Sequence, residues 1–263
     1  MRYSVITINY NNREGLRNTI KSVVCQKFND FEFIIIDGGS TDGSVDVIQE
    51  YSSDVSFWVS EKDRGIYHAM NKGVAQAHGD YCIFMNSGDC FYDNRVLESM
   101  EIHSFKEELL VGKIVSKTNK FLFDSPKRPL SLYYLYSGTV PHQSTFIKTD
   151  MLRQYPYDEN LGIVSDWKFF VQLIVLHNCS IRFVDQIIAR FDTNGVSTSN
   201  PEEMWREKEQ VLSELFPSRV LADYQYMKSS ECLTQALTPQ LRQHYLIDKI
   251  LYCIGRFFLN IIS

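Results

Sequence analysis

Residues 33 to 48 read FIIIDGGSTDGSVDVI. An apolar run ends in Asp37, Gly38 and Gly39, a polar cluster follows, and from about residue 43 the apolar positions return at helical spacing. A run of β-branched and aromatic residues bounded by such a cluster is a strand running into a turn and then a helix. The same grammar repeats on either side. YSVITIN (3–9) is a strand, and Asn11 or Asn12 is placed to cap a helix over EGLRNTIKSVVCQ (14–26), whose Leu16, Ile20, Val23 and Val24 share a face. Thr41 or Asp42 is placed to cap the short helix at 43–51. VSFWVS (55–60) is a third strand, IYHAMNKGVAQAH (66–78) a helix with Ile66, Met70 and Val74 inward, and DYCIFMN (80–86) a fourth strand. Strands alternating with helices at this spacing predict a parallel sheet with right-handed crossovers, an α/β fold. Ligands of such sheets bind beyond the carboxyl ends of the strands. The loops Asn9–Asn12, Asp37–Gly43, SEKDRG (60–65) and Asn86–Asp89 therefore belong to one edge. Taken alone, Asp37-Gly38-Gly39 is equally a tight strand-to-helix turn.

Beyond residue 105 the pattern loosens. ELLVGKIVS (108–116) and KFLFD (120–124) form a hairpin or two mixed strands, HQSTFIK (142–148) a strand, SDWKFFVQLIVLHN (165–178) an apolar helix and SIRFVDQIIARFD (180–192) another extended segment. From about 201 the chain reads helical. The expected organisation is a sheet domain over 1–197 and a helical extension over 198–263. In LIDKILYCIGRFFLNIIS (246–263), polar residues fall on one third of the helical wheel and apolar ones opposite. Packing on the domain, homodimerisation and lying in a membrane interface all suit such a helix.

Bulk properties exclude several classes. A net charge of −5 argues against a nucleic-acid binder, which needs a basic face. The six cysteines form no C-x-x-C pair and no secretory leader precedes them, so reduced thiols in the cytoplasm are expected, with a peripheral position at the membrane open. No apolar run reaches the roughly 18 residues of a spanning helix. The first strand leads into NYNNREG, which is neither the G-x-G-x-x-G of dinucleotide folds nor a P-loop. In FMNSGDCFYD (84–93) a strand ends in a carboxylate, Asp89, with glycine beside it. One carboxylate with phosphate oxygens and water commonly holds Mg²⁺ or Mn²⁺, although such a residue also caps helices.

The segments SVITINYNN, IIIDGGSTDGS, SEKDRGIYHAMNKG and IFMNSGD, in this order, resemble family 2 glycosyltransferases of the GT-A fold, in the variant found in bacterial exopolysaccharide and colanic-acid-type enzymes. The resemblance is strong over 3–95, traceable to about 197 and absent beyond about 200. It implies a mostly parallel, Rossmann-like sheet and an inverting, metal-dependent transfer of a hexose-type sugar from a nucleotide sugar, a UDP-sugar first, to a hydroxyl of a glycan or lipid-linked acceptor in surface polysaccharide synthesis. It implies that Asn9, Tyr10 and Asp37 hold the donor's base, with Gly38 letting the ligand come close, that Arg64 contacts the donor, and that Asp89 binds Mn²⁺ or Mg²⁺; Asn71, on the 66–78 helix, either faces the site or is a capped or solvated asparagine. Asn86 and Gly88 lie in the same motif, where many members carry acids, which puts a ribose contact in doubt. In IVSDWKFFVQL, Asp166 matches the catalytic base, with Ser165 in place of the usual glutamate; a helix cap is the plainer alternative. His142-Gln143 resembles a position near the acceptor, and RFDTNGVSTSN (190–200) a segment covering the donor, while Ile66 and Met70 read as helix core. The rivals are a sugar-nucleotide nucleotidylyltransferase and an idle nucleotide-binding scaffold.

Overall fold

The computed structural model describes residues 2–101, 105–126, 129–192 and 200–226. The chain divides between Gln210 and Val211 into two units. Of the second, residues 211–226 are described, and they are helical on both sides of Phe216-Pro217. The expected amphipathic helix at 246–263 lies outside the described residues.

In the first unit the early elements follow the sequence pattern: β1 (Tyr3–Asn9), α1 (Arg13–Val24), β2 (Phe31–Asp37), α2 (Ser44–Glu50), β3 (Phe57–Ser60), α3 (Ile66–Gln76) and β4 (Tyr81–Phe84). β5 (Cys90–Phe91), α4 (Val96–Glu101), β6 (Leu109–Ser116), β7 (Phe121–Phe123), α5 (Leu132–Ser137), β8 (Thr145–Lys148), α6 (Thr149–Gln154), α7 (Ser165–Val171), β9 (Ile181–Phe191) and α8 (Pro201–Leu215) complete the described elements. The sheet order is β3-β2-β1-β4-β8-β6-β9-β5, with β7 paired to β6. β3, β2, β1 and β4 are mutually parallel. The remainder is mixed: β8 runs antiparallel to β4 and β6, β9 runs parallel to β6, and β5 and β7 are antiparallel partners. The parallel expectation thus holds for the half that carries the motifs.

Strands of a parallel sheet are covered on both faces and read as continuous apolar runs. In β1 and β2 the odd positions (Tyr3, Val5, Phe33, Ile35) join Leu16, Ile20 and Val23 of α1 and Val47 and Ile48 of α2 in one core. The even positions face α3, where Ile6 and Ile36 lie against the backbone at Gly73. All of these apolar side chains are fully buried. Burying one Leu or Ile is worth roughly 1.5–3 kcal/mol, so the inward stripe of α1 holds the helix on the sheet.

Local details depart from expectation. Asn12 does cap α1, its Oδ1 accepting from Gly15 N at 3.2 Å. Neither Thr41 nor Asp42 is the N-cap of α2; Gly43 is, at φ 89°, and Asp42 instead accepts from Ser44 N (3.0 Å) and Arg13 N (2.8 Å). The expected strand at 142–148 begins only at Thr145, because Ser144 N donates to Pro141 O (3.2 Å) and closes a 3₁₀ turn over His142–Ser144. The helix expected over 165–178 is α-helical only to Val171 and continues as a π-turn, Gln172–Leu176, in which His177 N reaches Gln172 O at 3.0 Å. The four cysteines described, Cys25, Cys82, Cys90 and Cys179, are free thiols. Among the described residues no helix is long and apolar enough to cross a membrane.

Candidate active site

Strand register puts the functional residues in a row. Asn9, the last residue of β1, pairs with Asp37, the last of β2, which pairs with Ser60, the last of β3. Their side chains bond across the row: Asn9 Nδ2 donates to Asp37 Oδ1 (2.7 Å) and Ser60 Oγ to Asp37 Oδ2 (2.6 Å). Ser40 Oγ (2.6 Å), Ser40 N (2.9 Å) and Gly39 N (3.2 Å) add three more donors. Burial alone would raise the Asp37 carboxyl, but the bonds from Ser40, Ser60 and Asn9 outweigh it and hold the group below the usual aspartate range.

This changes the expected role of Asp37. It is fully buried, both oxygens accept from protein donors that order the β2–α2 loop and orient Asn9, and it does not itself line the cleft. The wall above belongs to a cleft of about 1060 Å³ lined by Asn9, Tyr10, Gly38, Lys62 and Asp63 at one end and by Asn86, Asp89, His142, Gln143 and Asp166 at the other. Gly38 makes a slot there: a Cβ at this position would lie 3.2 Å from the Tyr10 ring and 3.4 Å from Asp63 Oδ2. Asp63 Oδ1 is held by Lys72 Nζ (2.7 Å) and paired with His68 Nδ1 (3.0 Å), which fixes the carboxylate at the slot. Tyr10 is 69% exposed, an apolar ring face offered to a planar ligand.

Arg64 and Asn71 are not brought into the cleft. Arg64 is an exposed partner of Glu159 (2.5 Å). Asn71 is spent on the 157–159 loop, donating to Tyr157 O (2.9 Å) and Glu159 Oε1 (3.1 Å) and accepting from Tyr157 N (3.0 Å). Ile66 and Met70, expected as helix core, both line the cleft, Met70 while also buried.

At the other end, Gly88 holds φ 106°, a left-handed conformation that favours glycine, and a Cβ there would meet Asp192 Oδ2 at 3.1 Å. That turn places Asp89, which is 5% exposed and accepts from Asp192 N at 2.9 Å. Burial pushes Asp89 up to about 6, against the pull of the Asp192 amide, the His142 charge and a bond from Gln143. Nearby Asn86 Oδ1 is buried without a donor. A carboxylate that gives up its proton near neutrality and an amide oxygen lacking a donor are hard oxygen ligands that fit Mg²⁺ or Mn²⁺. Among the described residues no cluster of three or more His, Cys, Asp or Glu could complete a protein-only metal cage. Substrate phosphates would have to finish the coordination.

Asp166 stands in the first turn of α7, and three backbone amides of the loop before that helix, Gly162 N (2.7 Å), Ile163 N (2.9 Å) and Val164 N (3.1 Å), donate to the carboxylate of Glu207 on α8. Asp166 remains 18% exposed toward the cleft. Burial would raise it, but His142, through a hydrogen bond and its charge, and the Tyr67 hydroxyl hold it below the usual range. The Tyr67 hydroxyl, shared between Ile163 O (2.5 Å) and Asp166 Oδ1 (2.9 Å), is correspondingly raised by burial and by Asp166. Asp63, Tyr67 and Glu207 went unrecognised in the sequence. SEKDRG marked the loop holding Asp63 but not its register, and nothing local distinguishes Glu207 from other helical glutamates.

Comparison with known proteins decides what this arrangement is. The sequence model of Glycosyl transferase family 2 matches residues 4–160. The chain belongs to that family. The transferase is 32% identical over 212 residues to an uncharacterized glycosyltransferase of Mycobacterium tuberculosis, covering 74% of this chain and 76% of the relative. It is 24% identical over 204 residues, 73% and 77% of the two chains, to the PGL/p-HBAD biosynthesis glycosyltransferase of Mycobacterium bovis. Among solved structures, residues 1–349 of Staphylococcus aureus TarS with UDP-GlcNAc superpose with a TM-score of 0.67 at 19% identity, over 81% of the transferase and 66% of that chain. The mannosyltransferase PcManGT of Pyrobaculum calidifontis, solved with GDP-Man and Mn²⁺, gives 0.60 at 16% identity, over 81% and 63%. Against the longer TarS chain the transferase spans 39% of the length. The fold is the GT-A glycosyltransferase fold.

Proposed function

We propose that the protein transfers a sugar from a UDP-sugar to a hydroxyl of a glycan or lipid-linked acceptor in surface polysaccharide assembly, by one metal-assisted displacement that inverts the anomeric centre. The observation that carries this is the shared cleft: Asp89 and Asp166 line one cavity whose far end is the slot at Tyr10, Gly38 and Asp63. The slot takes the base, the Tyr10 ring covering it and Asp63 Oδ2 accepting from an imide N–H of the kind uracil presents. Asn9, oriented by Asp37, borders the same slot. Asp89, with Asn86, holds the cation at the diphosphate. A bound Mn²⁺ or Mg²⁺ would stabilise the charge that grows on the departing nucleotide diphosphate. Asp166, in the same cavity, supplies the negative charge that draws the acceptor's proton. A single displacement needs one basic centre and no protein nucleophile, which is what the acceptor end offers.

Support for the donor comes from fold neighbours, TarS having been seen with UDP-GlcNAc and with UDP. Support for a surface glycan comes from the relative named for PGL/p-HBAD biosynthesis. A melting-temperature screen of UDP, GDP, dTDP and CMP with and without Mn²⁺ tests the assignment. A ligand at about 100 times its Kd adds roughly 2.7 kcal/mol, or about 5–10 °C for a domain of this size. UDP with Mn²⁺ is expected to give the largest rise, and Asp89→Asn to remove the part that depends on metal. A larger, metal-independent rise with GDP would overturn the donor and the metal together.

A further inference from the structure

A buried tyrosine closes the cleft beside Asp166. Tyr67 stands in the first turn of α3, is 5% exposed and lines the cleft. Its hydroxyl has two acceptors within reach, Ile163 O at 2.5 Å and Asp166 Oδ1 at 2.9 Å. The first belongs to the loop whose amides Glu207 caps, the second to the first turn of α7, so one side chain of α3 ties together both sides of the boundary at which Asp166 is set. A carbonyl and an ionised carboxylate only accept, so the phenol is the donor in both contacts. Burial and the neighbouring Asp166 raise its pKa well above the ordinary tyrosine value, which keeps that proton in place at neutral pH. The ring is fixed independently of the hydroxyl. It packs on Tyr157 with centroids 5.7 Å apart, and Tyr157 in turn packs on Phe84 (5.6 Å) and Phe169 (5.3 Å).

Resting on the glycosyltransferase reading, we propose that Tyr67 is the positioning residue of the base: its hydroxyl holds Oδ1 of Asp166 so that the open lone pairs of the carboxylate face the acceptor's hydroxyl. An ionised carboxylate offers about four lone-pair sites. Tyr67 takes one, and the side chain stays 18% exposed toward the cleft, where another can meet an incoming alcohol. In the step, the acceptor oxygen bonds to the anomeric carbon as the bond from that carbon to the phosphate oxygen breaks, its electron pair leaving on the nucleoside diphosphate. The hydroxyl proton passes to Asp166 and is later released to water through the open cleft. Protonation makes Asp166 a poorer acceptor, and Tyr67 then gives its own proton wholly to Ile163 O, so the buried hydroxyl is never left unpaired. Tyr67 also follows Asp63 by four residues, across the turn at Gly65 (φ 139°), so the segment that ends the donor slot is the one that sets the base.

The test uses Tyr67→Phe, which keeps the ring and removes only the hydroxyl, alone and combined with Asp166→Asn. Melting temperature and UDP affinity establish that each variant is folded with its donor site intact. Expected for Tyr67→Phe are a donor KM and a UDP affinity close to wild type and a kcat lower by about 10–100-fold, the scale of a misplacement of about 1 Å in a reacting group. In the Asp166→Asn background the same change is expected to cost less than about twofold, because a residue that acts through another has nothing left to act on. A tyrosine with a merely structural role would lower the rate by the same factor in both backgrounds and would weaken UDP binding as well. Equal losses in the two backgrounds would overturn the proposal. So would a Tyr67→Phe kcat within about threefold of wild type, or a Tyr67→Phe protein that does not fold. Wild-type protein that turns over no nucleotide sugar would sink the transfer reading and this assignment together. Normal wild-type turnover that collapses in Asp166→Asn but not in Tyr67→Phe sinks the tyrosine alone.

Discussion

Replacing Glu207 tests how the acceptor end of the cleft is held. Its carboxylate accepts from three consecutive backbone amides, Gly162 and then Ile163 and Val164, and Asp166 follows two residues later. The side chain is 7% exposed, and of the three bonds that from Val164 is buried while those from Gly162 and Ile163 are part-buried, so water replaces the carboxylate only in part. An amide hydrogen bond to a charged acceptor contributes about 1.5–3 kcal/mol net, and a buried donor left unpaired costs about 1–3 kcal/mol. Glu207→Ala leaves three donors, of which only that of Val164 is in a fully buried bond, a loss of about 3–5 kcal/mol. Glu207→Gln can turn its carbonyl toward Ile163 and Val164 and abandon only Gly162, a loss of about 1–2 kcal/mol. At about 2–4 °C per kcal/mol, melting temperature should fall about 2–8 °C for Gln and about 6–20 °C for Ala. Catalysis should fall further than stability, because a misplacement of about 1 Å in a reacting group can cost about a hundredfold. The assay is thermal unfolding beside transfer rate at a temperature where both variants are folded. Two results would refute the reasoning: an Ala variant melting within 2 °C of wild type, or a Gln variant as damaged as Ala. The second would mean that charge, not the number of amides capped, is what matters.

Two other sites give sharp expectations. The Asp37 carboxyl is held below its unfolded value, so it stabilises the fold above the ordinary aspartate pKa of about 3.9 and loses that contribution as pH falls through the lower folded value. The stability gap between wild type and Asp37→Asn, measured by urea unfolding, should be wide at pH 7 and close below about pH 4; a gap constant with pH would contradict the hydrogen-bond account. Gly38→Val fills the slot beside the Tyr10 ring, where even a Cβ lies at 3.2 Å, and should raise the KM for the donor with little change in melting. An unchanged KM would remove the base from that slot.

The parallel half of the fold was legible because its evidence is local. β1 and β2 are apolar runs ending in polar turns, and α1 carries both its cap and its buried stripe within twelve residues. Asp89 and Asp166 were singled out by resemblance to the family's motifs, and both line the cleft. What the sequence hid is pairing across distance. Asp37 looked like a ligand contact until the register of β1, β2 and β3 showed that five protein donors already occupy it. Arg64, in the loop before α3, and Asn71, on that helix, sit beside residues that do line the cleft, but their side chains go to Glu159 and to Tyr157. The mixed half of the sheet was hidden because β6, β8 and β9 are assembled from segments separated by loops with no periodic signal.

The most direct measurement is release of nucleoside diphosphate from a panel of UDP-sugars, with Mn²⁺ and a hydroxyl acceptor, by wild type and Asp166→Asn. Steady turnover by wild type that falls at least about a hundredfold in the variant, while both bind UDP equally, is the outcome expected if a cation-held diphosphate and a base share one cavity. Nucleotide binding without turnover in either protein, or equal turnover in both, would contradict it and leave the cleft a binding site alone.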